Sequence, residues 1–253
     1  MMAGRGCDPH EHHVSFWLDH SPARNGAWVR RMTALNALEG YRLWAPVYSG
    51  ETAISQLEDE LVAELTPPLE GLRLLDAGCG TGRRLQSAGA ASAVGVDISS
   101  EMIEAGIFPQ HGTRALIGDI RALPLPDGAF DVVWCRLAIG HVPDCAPVYA
   151  ELARVSAAGA HVIVSDFHPR AYLAGHRRTF RRDETVHEIE HHVHEVSTHI
   201  EAARAAGLTA AEIREAAIGP SVRDFYESAG RLPLYDEHLG LPVVLALSFR
   251  RSG

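Results

Sequence analysis

The sequence predicts an α/β sandwich: a doubly wound, mostly parallel sheet with helices on both faces. Three observations carry this. Short apolar runs recur at 72–77, 93–97, 115–118, 130–135 and 161–167, roughly the four to eight residues of a strand buried on both faces. Turns or segments of helical spacing separate these runs, as repeated βαβ units require. A glycine-rich turn, Gly78-Cys79-Gly80-Thr81-Gly82, directly follows the first run. In such sheets ligands gather just beyond the carboxyl ends of the strands, where strand order reverses.

In order along the chain, residues 1–27 are polar and carry a His cluster (His10, His12, His13), which predicts a loose arm or short cap. Trp28, Met32, Leu35, Leu38 and Leu43 recur at nearly helical spacing, so 28–48 is expected to be helical. Ile54, Leu57, Leu61 and Leu65 form one stripe over 52–65, and Pro67-Pro68 stops that helix. The strands and their connecting helices follow. Residues 196–208 read as a helix ending at Gly207, and two further strands are expected at 212–218 and 243–250. The domain reading is an N-terminal arm and helical cap over 1–50, then one domain over 51–253.

Composition excludes several classes. The chain has 253 residues, 46% hydrophobic and 22% charged, ordinary values for a globular protein. A net charge of −9 supplies no basic field to hold nucleic acid. No apolar stretch approaches the roughly 20 residues of a membrane span, and the N-terminus shows no secretory pattern. The four Cys (Cys7, Cys79, Cys135, Cys145) form no C-x-x-C pair, which suits a reducing cytoplasm. All 23 basic residues are Arg.

The turn after the first strand reads Asp76-Ala77-Gly78-Cys79-Gly80-Thr81-Gly82. Glycine admits positive φ and close approach of a ligand to the main chain, and a following helix N-terminus would present free N–H groups. The alternative is a plain strand-to-helix turn. The next strands add to it. Asp97 closes the second run, where a carboxylate can accept both hydroxyl hydrogens of a ribose; its alternative is a helix cap. Asp119 and Ile120 close the third, at the same rim. The loop lacks the Lys of a phosphate-binding P-loop, and its third glycine comes too early for the dinucleotide pattern.

With these residues the chain resembles the class I S-adenosylmethionine-dependent methyltransferases, closest to the small-molecule group called type 11. The resemblance runs over 41–166. It rests on 75–82, on Gly95-Val96-Asp97-Ile98-Ser99 with Met102, on Gly118-Asp119-Ile120 with 123–133, and on 137–144. It implies a Rossmann-like seven-stranded sheet whose last strand, here 243–250, is antiparallel. It also implies S-adenosylmethionine as cofactor and S-adenosylhomocysteine as product. Gly78, Cys79, Gly80 and Gly82 would face the methionine part, Asp76 its amino group, and Asp97 the ribose. Ile98 and Met102 would flank the adenine, with Asp119 and Ile120 at its edge. Arg136 and Leu137 follow the fourth strand, where the family's main chain meets the cofactor's amino end. Residues 41–48 are similar to the family segment whose aromatics close over the cofactor, with Ser49 where Asp is common; for Trp44 and Tyr48, packing is the alternative to cofactor contact.

Methyl transfer from a sulfonium is an in-line displacement, so the protein aligns, excludes water and, where needed, removes a proton. His141 is the expected base: it follows the fourth strand and its ordinary pKa suits proton acceptance at neutral pH. A ring that only shapes the loop is the alternative. Asp166 and His168, after the fifth strand, are expected substrate contacts. In the family, 168–195 is an insertion that lids the acceptor site, and 220–242 reads as a second insertion. The first carries Arg170, His176, Arg177, Arg178, Arg181 and Arg182, then His187-Glu188-Ile189-Glu190-His191-His192-Val193-His194-Glu195. The match to H-E-x-x-H needs a helix to bring both His to one face of a zinc ion. If the stretch is instead a strand, His191 or His192 points into the acceptor pocket.

The resulting expectation is a cytoplasmic enzyme that methylates an oxygen or nitrogen of a small-molecule acceptor in specialised metabolism. No metal ligand set is assigned, a homodimer is compatible with the sequence, and neither membrane nor nucleic acid is an expected partner. The rivals are a tRNA or protein methyltransferase, a cofactor-binding protein without turnover, and a metal-dependent enzyme built on the 187–199 His segment.

Overall fold

A computed structural model describes residues 34–48, 51–106, 108, 112–183 and 185–253. The N-terminal arm, its His cluster and the first part of the expected 28–48 helix lie outside the described residues. Helix α1 is Ala37–Trp44, capped by the Asn36 side chain, which accepts from the Glu39 N–H at 3.0 Å. Pro46 lies in the single 3-10 turn that follows, Ala45–Val47. Helix α2, Ala53–Leu65, begins with a reciprocal cap between Thr52 and Ser55. Its apolar stripe is buried, as the spacing predicts.

The strands are β1 (Arg73–Ala77), β2 (Ser92–Asp97), β3 (Thr113–Ile117), β4 (Phe130–Arg136) and β5 (Ser156–Phe167). Helices α3 (Ser100–Ala105) and α4 (Ala146–Val155) connect β2 to β3 and β4 to β5. After β5 come α5 (Pro169–Leu173) and a hairpin of β6 (Thr179–Arg182) and β7 (Thr185–Glu188). Helix α6 (Val196–Ala205) leads to β8 (Leu208–Ala217), and α7 (Arg223–Ser228) and α8 (Leu232–His238) lead to β9 (Pro242–Arg251).

Seven strands form one sheet in the order β3-β2-β1-β4-β5-β9-β8. β1 to β5 are parallel, and β9 runs antiparallel to both β5 and β8. Strand order reverses between β1 and β4, so the topology places a ligand cleft above that junction. Alternation along β4 divides the core in two. Val132 and Trp134 face α2, while Val133 and Cys135 face the layer holding Tyr149 and Leu152 of α4. This is the Rossmann-like α/β fold with its antiparallel last strand.

Two elements differ from the sequence reading. The glycine turn leads into a 3-10 segment, Arg83–Ser87, and not a full helix. Gly82 (φ 69°) and Gly89 (φ 68°) bracket it, and only Leu85 of the segment is buried, so little packing rewards a longer helix. The 185–195 stretch is strand and extended chain, not helix. The one-face presentation that H-E-x-x-H needs is therefore absent, and no group of three metal-capable side chains occurs among the described residues.

Candidate functional site

β1 ends at Ala77, and the chain turns through Gly78 at φ 85° and Gly80 at φ 56°. A Cβ on Gly78 would stand 2.3 Å from that of Ala138. Glycine is needed there because the loops after β1 and β4 touch across the switch point. Between these loops, the end of β2, α1 and Arg178, just before the β6–β7 hairpin, lies a cleft of about 280 Å³.

Most of the residues expected to meet a cofactor line this cleft: Tyr48, Gly78, Cys79 and Gly80 on one side; Asp97, Ile98, Met102, Asp119 and Ile120 at the rim; Arg136 and Leu137 after β4. His141 lines it too. Asp97 accepts from the N–H of Gly80 at 2.7 Å and of Ser99 at 2.9 Å, which fixes its carboxylate between the loop and α3. Asp119 is gripped by the Arg121 guanidinium at 2.6–3.1 Å, and that hydrogen bond holds its carboxyl below the usual range. Leu137 adopts φ 52°, rare for a side chain larger than glycine. Its N–H meets both the backbone oxygen and the Oγ of Ser165 at 3.0 Å, which offsets the strain.

Asp76, in β1, is fully buried and lies outside the cleft lining, and neither of its carboxylate oxygens has a hydrogen-bond partner. Burial raises its pKa to about 6, although Arg84 and Arg136 pull the other way. The Arg136 side chain is held at the floor by Glu58 of α2, through Nε–Oε1 at 2.9 Å and Nη2–Oε2 at 2.7 Å. Arg84 reaches the same carboxylate at 2.9 Å, and the Ser165 hydroxyl donates to it at 2.6 Å. Burial alone would raise Glu58, but the two guanidinium groups hold it at about 2. Sequence reasoning did not single out Glu58: an acid inside a helical stripe looks like a solvated residue until its Arg partners, 26 and 78 positions away, are known.

Gly82 lies away from the cleft lining, its Cα facing the Phe108 ring. Asp166 and His168 also lie apart from that lining. Asp166 is buried between His191 (3.7 Å) and His199 (3.5 Å), and His168 caps α5 and pairs with Glu215 at 3.2 Å. His191 is buried over the 139–141 turn, where a Cβ on Gly140 would stand 2.1 Å from its Cε1. Burial lowers the His191 pKa to about 4. The backbone N–H of His192 donates to Gly140 O at 2.7 Å, while its half-exposed ring lies 3.8 Å from Glu190.

At the end of the cleft facing the hairpin, Tyr41 lies at the hub. Arg178 Nη1 donates to its hydroxyl at 2.6 Å, and the hydroxyl lies 3.0 Å from His141 Nε2. His141 Nδ1 is 3.2 Å from the carbonyl oxygen of Glu190. Burial, with Arg178 and His191 nearby, lowers the His141 pKa well below its ordinary value. Burial raises that of Tyr41. Trp44 stacks on both Tyr41 (5.6 Å) and Phe180 of the hairpin (5.0 Å), so the cap and hairpin meet through aromatic faces.

Comparison with known proteins agrees with this geometry. Residues 75–164 match the family model described as a methyltransferase domain. The 27-O-demethylrifamycin SV methyltransferase of Amycolatopsis mediterranei (strain S699) is 34% identical over 131 residues, covering 46% of each chain. A malonyl-[acyl-carrier protein] O-methyltransferase of Erwinia pyrifoliae is 34% identical over 120 residues, covering 47% of this chain and 46% of its own. The chain thus spans about half the length of these relatives. A crystal structure of an S-adenosylmethionine-dependent methyltransferase from Mesorhizobium loti superposes with a TM-score of 0.62 at 26% identity, over 79% of this chain and all of that one. Sheet order, glycine turn, rim carboxylates and family match together establish that the chain carries a class I S-adenosylmethionine-dependent methyltransferase domain.

Proposed function

We propose that this protein transfers the methyl group of S-adenosylmethionine to an oxygen or nitrogen of a small-molecule acceptor in specialised metabolism. The observation that carries the reading is Asp76: a buried carboxylate with no partner, directly under a glycine turn that opens into the cleft. An unpaired buried carboxylate is costly, and a ligand ammonium group would satisfy it. The rest of the cleft fits the same molecule. Asp97 offers a fixed carboxylate for ribose hydroxyls, and Ile98, Met102 and Ile120 offer apolar faces for a base. When bound, the cofactor supplies a methyl group already activated by the sulfonium charge.

The chain's own residues do the rest. Arg136 and Arg84 present positive charge to a carboxylate while Glu58 keeps them in register. Trp44, Tyr41 and Arg178 line the end of the cleft that an acceptor would enter, where alignment is worth most. The two named relatives act on oxygen, and the rifamycin relative on a small molecule, which supports an oxygen nucleophile first. No helix among the described residues is long and apolar enough to cross a membrane.

The test is calorimetric titration with S-adenosylmethionine and S-adenosylhomocysteine, followed by radiolabelled methyl transfer to a panel of phenols, carboxylic acids and amines. Binding of both nucleosides is expected, and Asp97→Ala should weaken it by about ten- to a hundredfold, the loss of charged hydrogen bonds. Unchanged affinity removes Asp97 from the site; a wild-type chain that binds neither nucleoside refutes the reading.

A further inference from the structure

We propose that the proton acceptor facing the substrate is the hydroxyl of Tyr41, which passes the proton to His141 while Arg178 holds the phenol in place. The inference rests on the methyl-transfer reading above and names a catalytic residue for it.

The direction of the hydrogen bonds carries the argument. The carbonyl oxygen of Glu190 can only accept, so His141 Nδ1, 3.2 Å away, carries the ring proton. Nε2 is then the unprotonated nitrogen, and the Tyr41 hydroxyl, 3.0 Å from it, donates to it. Arg178 has no lone pair to offer, so its Nη1 donates to Tyr41 Oη at 2.6 Å. The chain runs one way: Arg178 to Tyr41 to His141 to Glu190. His141 has both ring nitrogens engaged. Tyr41 Oη, with its proton directed at His141 and one lone pair on Arg178, keeps a second lone pair for an acceptor O–H or N–H in the cleft it lines.

The step balances. The acceptor's O–H or N–H bond breaks and its proton moves to Tyr41 Oη. The original Tyr41 proton moves to His141 Nε2, leaving a neutral phenol and an imidazolium. The acceptor atom bonds to the methyl group as the carbon–sulfur bond breaks, and that electron pair stays on sulfur. One positive charge leaves sulfur as one appears on the imidazole, so the pocket's total charge is unchanged. The groups facing this pair are Arg178, Tyr48 and Asp97 around Tyr41, and Arg178, His191 and His192 around His141.

Two measurements on the full chain test it. In ¹⁵N-histidine-labelled protein with S-adenosylhomocysteine bound, His141 should be the neutral Nδ1–H tautomer at pH 7. Tyr41→Phe should move its Nε2 resonance towards that of a nitrogen receiving no hydrogen bond. With the acceptor found in the panel above, Tyr41→Phe should keep cofactor affinity and lower kcat by about 10²–10⁴-fold. Its rate should then climb with pH towards the acceptor's own pKa, where the wild type is flat through the neutral range. Tyr41→Phe with His141→Gln should lose no more than the worse single variant, since both act in one step. A Tyr41→Phe chain with an unmoved Nε2 resonance, or with wild-type rate and pH profile, overturns the relay and leaves the methyltransferase reading standing. A wild-type chain that methylates nothing removes both.

Discussion

At the scale of single residues, Asp76 shows how a site can be built against stability. Its carboxylate is dry, unpaired and shifted up to about 6, against about 3.9 in an unfolded chain. Between these values the folded protein holds a proton the unfolded chain lacks, so this residue's contribution to stability improves as pH falls and is worst above pH 6. The cost at neutral pH is on the order of 3 kcal/mol. Asp76→Asn should therefore raise the free energy of unfolding of the ligand-free chain by up to about 3 kcal/mol at pH 7.5 and by nearly nothing at pH 4, while weakening S-adenosylmethionine binding. Urea denaturation at both pH values reads this directly. An equal change at both, or a destabilised variant at pH 7.5, would mean that Asp76 has a partner inside the fold.

At the scale of elements, α2 is fastened to the sheet by charge as well as by its apolar stripe. Glu58 is buried with Arg136 at the end of β4, Arg84 after the glycine turn and Ser165 of β5. Removing one partner of a buried ion cluster strands the others and typically costs about 3–5 kcal/mol. Glu58→Gln should fall in that range by urea denaturation, with loss of cofactor affinity because Arg136 and Arg84 then keep only Asp59 as an anionic partner. Thr52→Ala, which removes the α2 cap at the edge of the cleft, should cost about 1 kcal/mol of stability. Equal losses in the two variants would place the cluster's role in helix formation and not in the cleft. The same elements show what a sequence can reveal. β1, β2 and β4 were legible because buried parallel strands are continuous apolar runs, and the rim residues because each directly follows one. The start of β5 at Ser156 was not legible: 156–160 is Ser, Ala and Gly, and only Ser156 of them pairs with β4, before a shift in register. Nothing in the sequence sets Tyr41 apart within 41–48, because the partners that define it, Arg178 and His141, lie 137 and 100 positions away.

At the scale of the whole molecule, the described histidines differ in their surroundings, which the sequence could not sort. His141, His176 and His191 are buried, and burial lowers each, the last two to about 4. His176 sits 3.1 Å from His238 beneath the first lid segment, and His191 lies on the 139–141 turn. The unfolded chain takes up protons on these three near pH 6.5 while the folded chain does not. Their stabilising effect is thus complete above about pH 6.5 and is lost as pH falls towards 4. Asp76 has the opposite sign over part of that window, so the net difference is about two protons. Stability should fall by roughly 3 kcal/mol per pH unit between pH 6 and 5. His176→Phe should flatten that slope by about 1.4 kcal/mol per unit, one proton's worth, whatever it does to stability at pH 7.5. Urea unfolding at half-unit intervals measures both slopes. Because the three rings lie in the 168–195 segment and the 139–141 turn, acid should loosen those parts first. Hydrogen exchange at pH 5.5 should accelerate in 176–194 before it does in β1, β4 and β5, and simultaneous exchange would show instead that this segment and the sheet open as one unit.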